Sequence, residues 1–185
     1  MRALWSIAPA APVELSCAPG WFPRAGWAVA AVVDVAEGEA WVRSAVLAAD
    51  GDAVIAQGEA HDIPPWLRDE GGGGITYEPQ DLDGDGTDEL VSHGGESHGG
   101  SSYDWVAVAV VTGSAITDAG QVLTHADNGA DVGGTPDEFG CDAEVVLGGA
   151  AALVATGKTS GPAPDDCVVG VQRYQLRDGK LQLVR

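Results

Sequence analysis

Basic residues are scarce in this chain. Of 185 residues, nine are Lys or Arg against 28 Asp or Glu, a formal net charge of −19, and lysine occurs only at Lys158 and Lys180. A surface so acidic repels nucleic acid and anionic membranes and draws cations instead. Long apolar runs are also missing. The longest, residues 27–33 and 106–111, fall far short of the roughly 20 residues a membrane-spanning helix needs. A nucleophile elbow is missing too: the one Gly-x-Ser-x-Gly, Gly95-Glu96-Ser97-His98-Gly99, has no helical pattern after it, which an elbow requires. A sustained helical pattern is absent as well. What remains is a hydrophobic fraction of 45%, too high for disorder, in a chain long enough for one domain with a sizeable core.

Against that background one stretch stands out: Asp81-Leu82-Asp83-Gly84-Asp85-Gly86-Thr87-Asp88-Glu89. Asp81, Asp83 and Asp85 alternate, and Gly84 and Gly86 permit the positive φ that lets the backbone curl and turn the carboxylates inward. Three converging carboxylates repel one another unless a hard cation sits among them. Oxygen-only ligation suits Ca²⁺, which takes about six to eight oxygens. The spacing therefore predicts a calcium loop. Asp81, Asp83 and Asp85 supply side-chain oxygens, Thr87 its backbone carbonyl, and Glu89 the closing carboxylate. Mg²⁺ accepts fewer protein ligands in a tighter octahedron and fits less well.

An EF-hand is excluded. It needs Glu at position twelve and a helix on either side, whereas Ser92 holds that position. The preceding Ile75-Thr76-Tyr77-Glu78-Pro79 is β-prone, and the succeeding Leu90-Val91 soon meets Gly94-Gly95. In this strand–loop–strand setting the segment resembles the FG-GAP/VCBS calcium repeats of integrin α-chain propellers and secreted bacterial proteins, whose motif runs Asp-x-Asp/Asn-x-Asp-Gly-x-x-Asp. Asp81, Asp83, Asp85 and Gly86 match it, and Glu89 stands where Asp is usual. The resemblance covers about a dozen residues in a single copy, so it implies the ion and a local hairpin. A propeller would need several copies.

Elsewhere the chain reads as short strands bounded by turns. Asp50-Gly51 and Asp178-Gly179 are hairpin signals, and residues 103–112 form the most β-like segment. About nine to eleven short strands are expected, an all-β antiparallel meander in a sandwich or a partial barrel or propeller-like arrangement, with the one calcium loop. Residues 1–24, with four prolines, are expected to be an irregular arm, and 25–185 a single all-β domain. A short helical turn is expected at Trp66-Leu67-Arg68, a flexible link at 71–74, and loops at 93–102 and 127–140. Trp27, Trp41 and Trp105 are expected in the core. Trp5, Trp21 and Trp66 fall in irregular segments, where exposed rings can stack on sugars or dock a partner chain.

Three cysteines are present. Cys141 and Cys167 flank one hairpin and are expected to form a disulfide, closing a loop of about 26 residues worth roughly 3–3.5 kcal/mol on chain-entropy grounds. Cys17 is the odd one out, and an oxidising compartment is implied. Residues 1–8 are too short for a normal signal peptide, and Glu14 occupies a place where a lipoprotein leader wants Leu. The secretory leader is therefore expected upstream or already removed.

No catalytic residue is assigned. His93, His98 and Glu96 offer a transition-metal grouping, but His-x₄-His is no established zinc spacing and a third ligand, His61 or His125, is a candidate by type only. Ser97, Ser101 and Ser102 near His93 or His98 do not make a nucleophile elbow. Asp127, Asp131, Asp137 and Glu138 could pair for sugar hydrolysis, but chance pairs are expected among so many acids. The reading is a secreted calcium-binding β-domain that acts as a binding or structural module for a protein or polysaccharide. The alternatives are a secreted hydrolase working through 93–102 and 127–140, or a surface-fibre subunit assembling as a homo-oligomer through the N-terminal arm.

Overall fold

The computed structural model describes residues 14–22, 24–36, 39–63, 75–149 and 151–184. Among them are twelve strands and one single-turn helix. In chain order these are β1 (Glu14–Trp21), β2 (Ala25–Ala36), β3 (Glu39–Ala48), β4 (Val54–Ile63), β5 (Tyr77–Gln80), β6 (Glu89–His98), β7 (Ser101–Thr112), β8 (Ala115–Asp127), α1 (Gly129–Val132), β9 (Gly140–Leu147), β10 (Leu153–Ser160), β11 (Gly170–Arg177) and β12 (Lys180–Val184). The protein is all-β. No helix among the described residues is long and apolar enough to cross a membrane.

The chain divides into two compact units. One unit takes the residues up to Ser92 together with Ala109–Asp118, and the other takes His93–Val108 and Ala119 onward. In the first unit, β1 to β4 form an antiparallel meander. β4 meets β8 in a parallel pair at Gln57 and Ala115, with the Gln57 amide donating to the Ser114 carbonyl at 3.1 Å. β5 and the start of β6 form an antiparallel pair, from Tyr77 opposite Ser92 to Gln80 opposite Glu89.

Both faces of β2 and β3 are buried at their middle. Ala28, Ala30, Val42 and Val46 pack with Phe22, Ala56, Tyr77 and Leu90 on one side. Val29, Ala45 and Leu47 pack with Val54 on the other. This is why residues 28–31 are continuously apolar and do not alternate. Ser44 interrupts the run on the first side, and its hydroxyl is satisfied there by the buried Tyr77 hydroxyl.

Residues 14–21 are not an irregular arm. They pair residue for residue with β2, from Glu14 opposite Val32 to Trp21 opposite Ala25, and Pro19 is accommodated within the pairing. A proline is tolerated in an edge strand, where its missing N–H breaks no ladder bond on the open side, and β1 ends the strand order. Gly20 makes room for Phe22. A Cβ at Gly20 would lie 2.5 Å from Phe22 Cζ and 2.7 Å from Pro79 Cβ, so only glycine lets the Phe22 ring fold inward beside β5.

The second unit contains the antiparallel run β9–β10–β11–β12, and the end of β8 pairs with β9. Cys141 and Cys167 are bridged, with Cα atoms 6.0 Å apart. They are buried with Ala126 and flanked by Tyr103, Leu123 and Phe139. The last hairpin turns at Asp178 and Gly179, whose φ values of 52° and 68° are those of a type I′ turn.

The stretch expected to be a glycine-rich loop at 93–102 is instead a hairpin. β6 continues to His98, the turn is Gly99-Gly100, and β7 begins at Ser101. Gly94 and Gly95 are strand residues here because other groups cross them closely. A Cβ on Gly94 would sit 2.7 Å from Trp105 Nε1, and one on Gly95 would run into the Asp104 carboxylate. Glycine inside a strand often marks such an approach. The 127–140 segment holds α1 and is tied across its base by Asn128, which receives the Phe139 amide at 2.8 Å and donates to the Asp137 carbonyl at 3.1 Å. Trp27 and Trp41, expected in the core, are 40% and 37% exposed, while Trp105 is half-buried. The helical turn expected at Trp66-Leu67-Arg68, the link at 71–74 and Trp5 lie outside the described residues.

Candidate metal centre

The acidic loop spans the gap between Gln80, the last residue of β5, and Glu89, the first of β6, which face each other in the pair. Two strand ends that close together force the chain between them to turn back within eight residues. Gly84 and Gly86 supply the turning points, at φ +80° and +87°. Nothing lies within 4 Å of a Cβ built on either, so glycine is required there by backbone conformation and not by crowding.

The carboxylates organise the loop from within. Asp81 receives the amides of Gly84 at 2.8 Å and Gly86 at 3.0 Å, one on each oxygen. Asp83 Oδ1 receives the Asp85 amide at 3.1 Å, and Asp85 Oδ1 the Thr87 amide at 2.7 Å. These are Asx-type turns, in which a short side chain bonds its own backbone just ahead. Leu82, the one apolar residue among the acids, is buried and anchors the loop. Its amide donates to Glu89 Oε2 at 2.8 Å.

Glu89 is the unusual member. It is only 5% exposed, whereas Asp81, Asp83 and Asp85 are exposed. Burial, first of all, pushes its carboxyl up to about 7. The Leu82 amide opposes that shift, and the charges of Asp83, Asp85 and Asp81 add to it. One carboxylate oxygen each from Asp81, Asp83 and Glu89 lie within 4.8 Å of one another, and this group can hold a metal ion. It is the one convergent group of its kind among the described residues. Asp85 is not part of it, and its Oδ1 is turned to the Thr87 amide. The donor set is all oxygen and anionic, which fits a hard divalent cation.

The loop is also tied to β1. Trp21 and Asp88 exchange two hydrogen bonds, the Asp88 amide to the Trp21 carbonyl and the Trp21 amide to Asp88 Oδ2. The motif leaves Asp88 as a filler position, and no sequence signal marks this contact. Leu82 is more legible, as a lone apolar residue in an acidic run.

The other groupings do not assemble as read. His93 and Glu96 are exposed on β6, and the side chain of His98 lies outside the described residues, as does that of His61. In the 127–140 segment, Asp127 Oδ1 receives the Gly129 amide at 2.9 Å, and Glu138 Oε2 receives the Gly134 amide at 2.6 Å. Those carboxylates hold their own turn together. No protein-family model, curated protein or solved structure matches this chain.

Proposed function

We propose that the chain is a secreted, calcium-stabilised β-module, a single-copy relative of the FG-GAP/VCBS type of loop, whose ion fixes the β5–β6 hairpin while another surface binds a protein or polysaccharide. The observation that carries this reading is the convergence of Asp81, Asp83 and Glu89 within 4.8 Å, with Glu89 buried beside two exposed acids. Such an arrangement leaves like charges facing one another, and a divalent cation relieves both the repulsion and the cost of burying Glu89. Calcium is favoured over magnesium because the ligands come from a flexible, glycine-containing loop able to give many oxygens, whereas Mg²⁺ keeps its waters and demands an octahedron. Asp85 and the Thr87 carbonyl complete the coordination when the ion draws the loop in.

Secretion is supported by the buried Cys141–Cys167 bridge, since such bonds persist where the surroundings are oxidising. Binding is supported by exposed side chains on the odd-numbered side of β1, β2 and β3, around its buried middle. The strand registers place Leu15, Trp21, Trp27 and Trp41 on it, and all four are exposed large hydrophobics. Exposed indoles offer stacking area for sugar rings or anchor points for a partner chain.

The test is a thermal melt with and without millimolar Ca²⁺, after chelation. A rise in Tm that disappears in Asp83→Ala supports the reading. An unchanged Tm in the wild type removes it.

A further inference from the structure

We propose that Ser102, His125 and Asp142 form a second, separate site that hydrolyses small uncharged carboxylic esters, with Ser102 as nucleophile. The three residues come from neighbouring strands β7, β8 and β9. His125 and Asp142 stand directly opposite each other in the β8–β9 register. Ser102 Oγ lies 3.1 Å from His125 Nε2, and His125 Nδ1 lies 2.9 Å from Asp142 Oδ1. Both contacts fall within the roughly 2.6–3.2 Å that proton transfer requires.

In the site as proposed, the neutral imidazole takes the tautomer that suits these partners. An ionised carboxylate only accepts, so the imidazole hydrogen sits on Nδ1 facing Asp142. That leaves Nε2 as the acceptor for the Ser102 hydroxyl hydrogen. A nucleophile thus faces a general base that a third group orients, the arrangement by which a weak alcohol becomes reactive. Here the side chains of His125 and Asp142 are 36% and 64% exposed, and Ser102 is half-exposed, so a substrate can reach them.

Beside Asp142 runs a groove of about 310 Å³, lined by Asp142, Ala143, Glu144, Thr156, Gly157 and Lys158. Its volume is at the lower end of ligand sites, which run from roughly 300 to 1,000 Å³, hence the small substrate. The rim carries two carboxylates, Asp142 and Glu144, and one ammonium, Lys158, so it leans negative and disfavours anionic esters.

The chemistry balances with water as the only co-reactant. Ser102 Oγ bonds to the ester carbonyl carbon as its proton passes to His125 Nε2. The carbon–oxygen bond to the alcohol then breaks, and the departing oxygen takes that proton. Water, deprotonated by His125, attacks the acyl-serine. The acid leaves, and the proton returns to Ser102. Asp142 is the positioning residue that holds the imidazole in its tautomer.

The experiment uses the full chain with a fluorophosphonate probe and p-nitrophenyl acetate. The expected result is covalent labelling that peptide mass spectrometry places on Ser102. Ester turnover should fall at least about 100-fold in Ser102→Ala and in His125→Gln, and Asp142→Asn should change the pH profile of kcat/KM. Labelling that is absent or maps to another residue overturns the proposal. So does turnover that survives Ser102→Ala but not His125→Gln, which would report simple imidazole chemistry. If a variant fails to fold, the site of labelling on the wild type decides alone.

Discussion

Trp21 and Asp88 hold each other by two hydrogen bonds, both 2.7 Å long. The pair joins the end of the edge strand β1 to the last loop residue before Glu89. Its geometry needs the Asp88 side chain at one end and only backbone at the other. Asp88→Ala should therefore weaken the fold by about 0.5–1.5 kcal/mol, the net worth of a hydrogen bond whose donor stays open to water. Chemical denaturation without added metal would show this as a lower midpoint at unchanged m.

Calcium is expected to raise the melting temperature. At an ion concentration about 100 times Kd the gain is about 2.7 kcal/mol, or roughly 5–10 °C for a chain of this size. Asp81→Ala and Asp83→Ala should each abolish the rise, because both side chains belong to the convergent group. Differential scanning calorimetry with and without chelator is the measurement.

Glu89 makes ion binding depend on pH. Its carboxyl is raised in the folded chain to about 7 from an ordinary 4.5, so folding favours the protonated form. In the metal-free protein the stability linked to Glu89 is thus fully present below pH about 4.5 and is lost as pH rises through about 7. The ion wants the ionised form, so calcium affinity should rise over the same interval, with proton release near pH 6. Calorimetry in two buffers of different ionisation enthalpy would detect the proton. Glu89→Gln keeps an acceptor for the Leu82 amide and should flatten both dependences.

Opening the Cys141–Cys167 bridge should cost about 3.5 kcal/mol, from the entropy of a loop of 26 residues. Cys141→Ser paired with Cys167→Ser should lower the urea midpoint accordingly. Because the bridge lies in one unit and the acidic loop in the other, the calcium-dependent gain should survive in the double variant.

Gly94→Ala should destabilise strongly, since its Cβ would meet the Trp105 ring. Gly84→Ala meets no neighbour and should cost only the left-handed backbone penalty, about 1–2 kcal/mol. A paired thermal unfolding measurement would separate the two mechanisms.

That contrast explains where the sequence is readable. Period, turn residues and spacing are local properties. They disclose the β class, the Asp178-Gly179 turn, the bridge between Cys141 and Cys167, and the acidic loop with Asp81, Asp83 and Glu89. Features set by distant chain stay hidden. Gly94 and Gly95 look like a flexible link until Trp105 and Asp104 are placed across them. The prolines before Trp21 look like an arm until β2 pairs with them. Trp27 and Trp41 look like core because nothing in the sequence says that burial of that side covers Val29, Ala45 and Leu47 but not these two rings. His125, a ligand candidate by type alone, finds its partners Ser102 and Asp142 only through strand register.

Tyr77 lies four residues ahead of Asp81, and its hydroxyl is bonded to Ser44 in the first unit's interior. Burial holds that phenol above its ordinary range, although the Ser44 bond works against it. The ring is therefore a built-in optical gauge. Its near-ultraviolet signal should sharpen when the neighbouring hairpin stiffens, so occupancy of the acidic loop can be followed without attaching a dye or altering a single ligand.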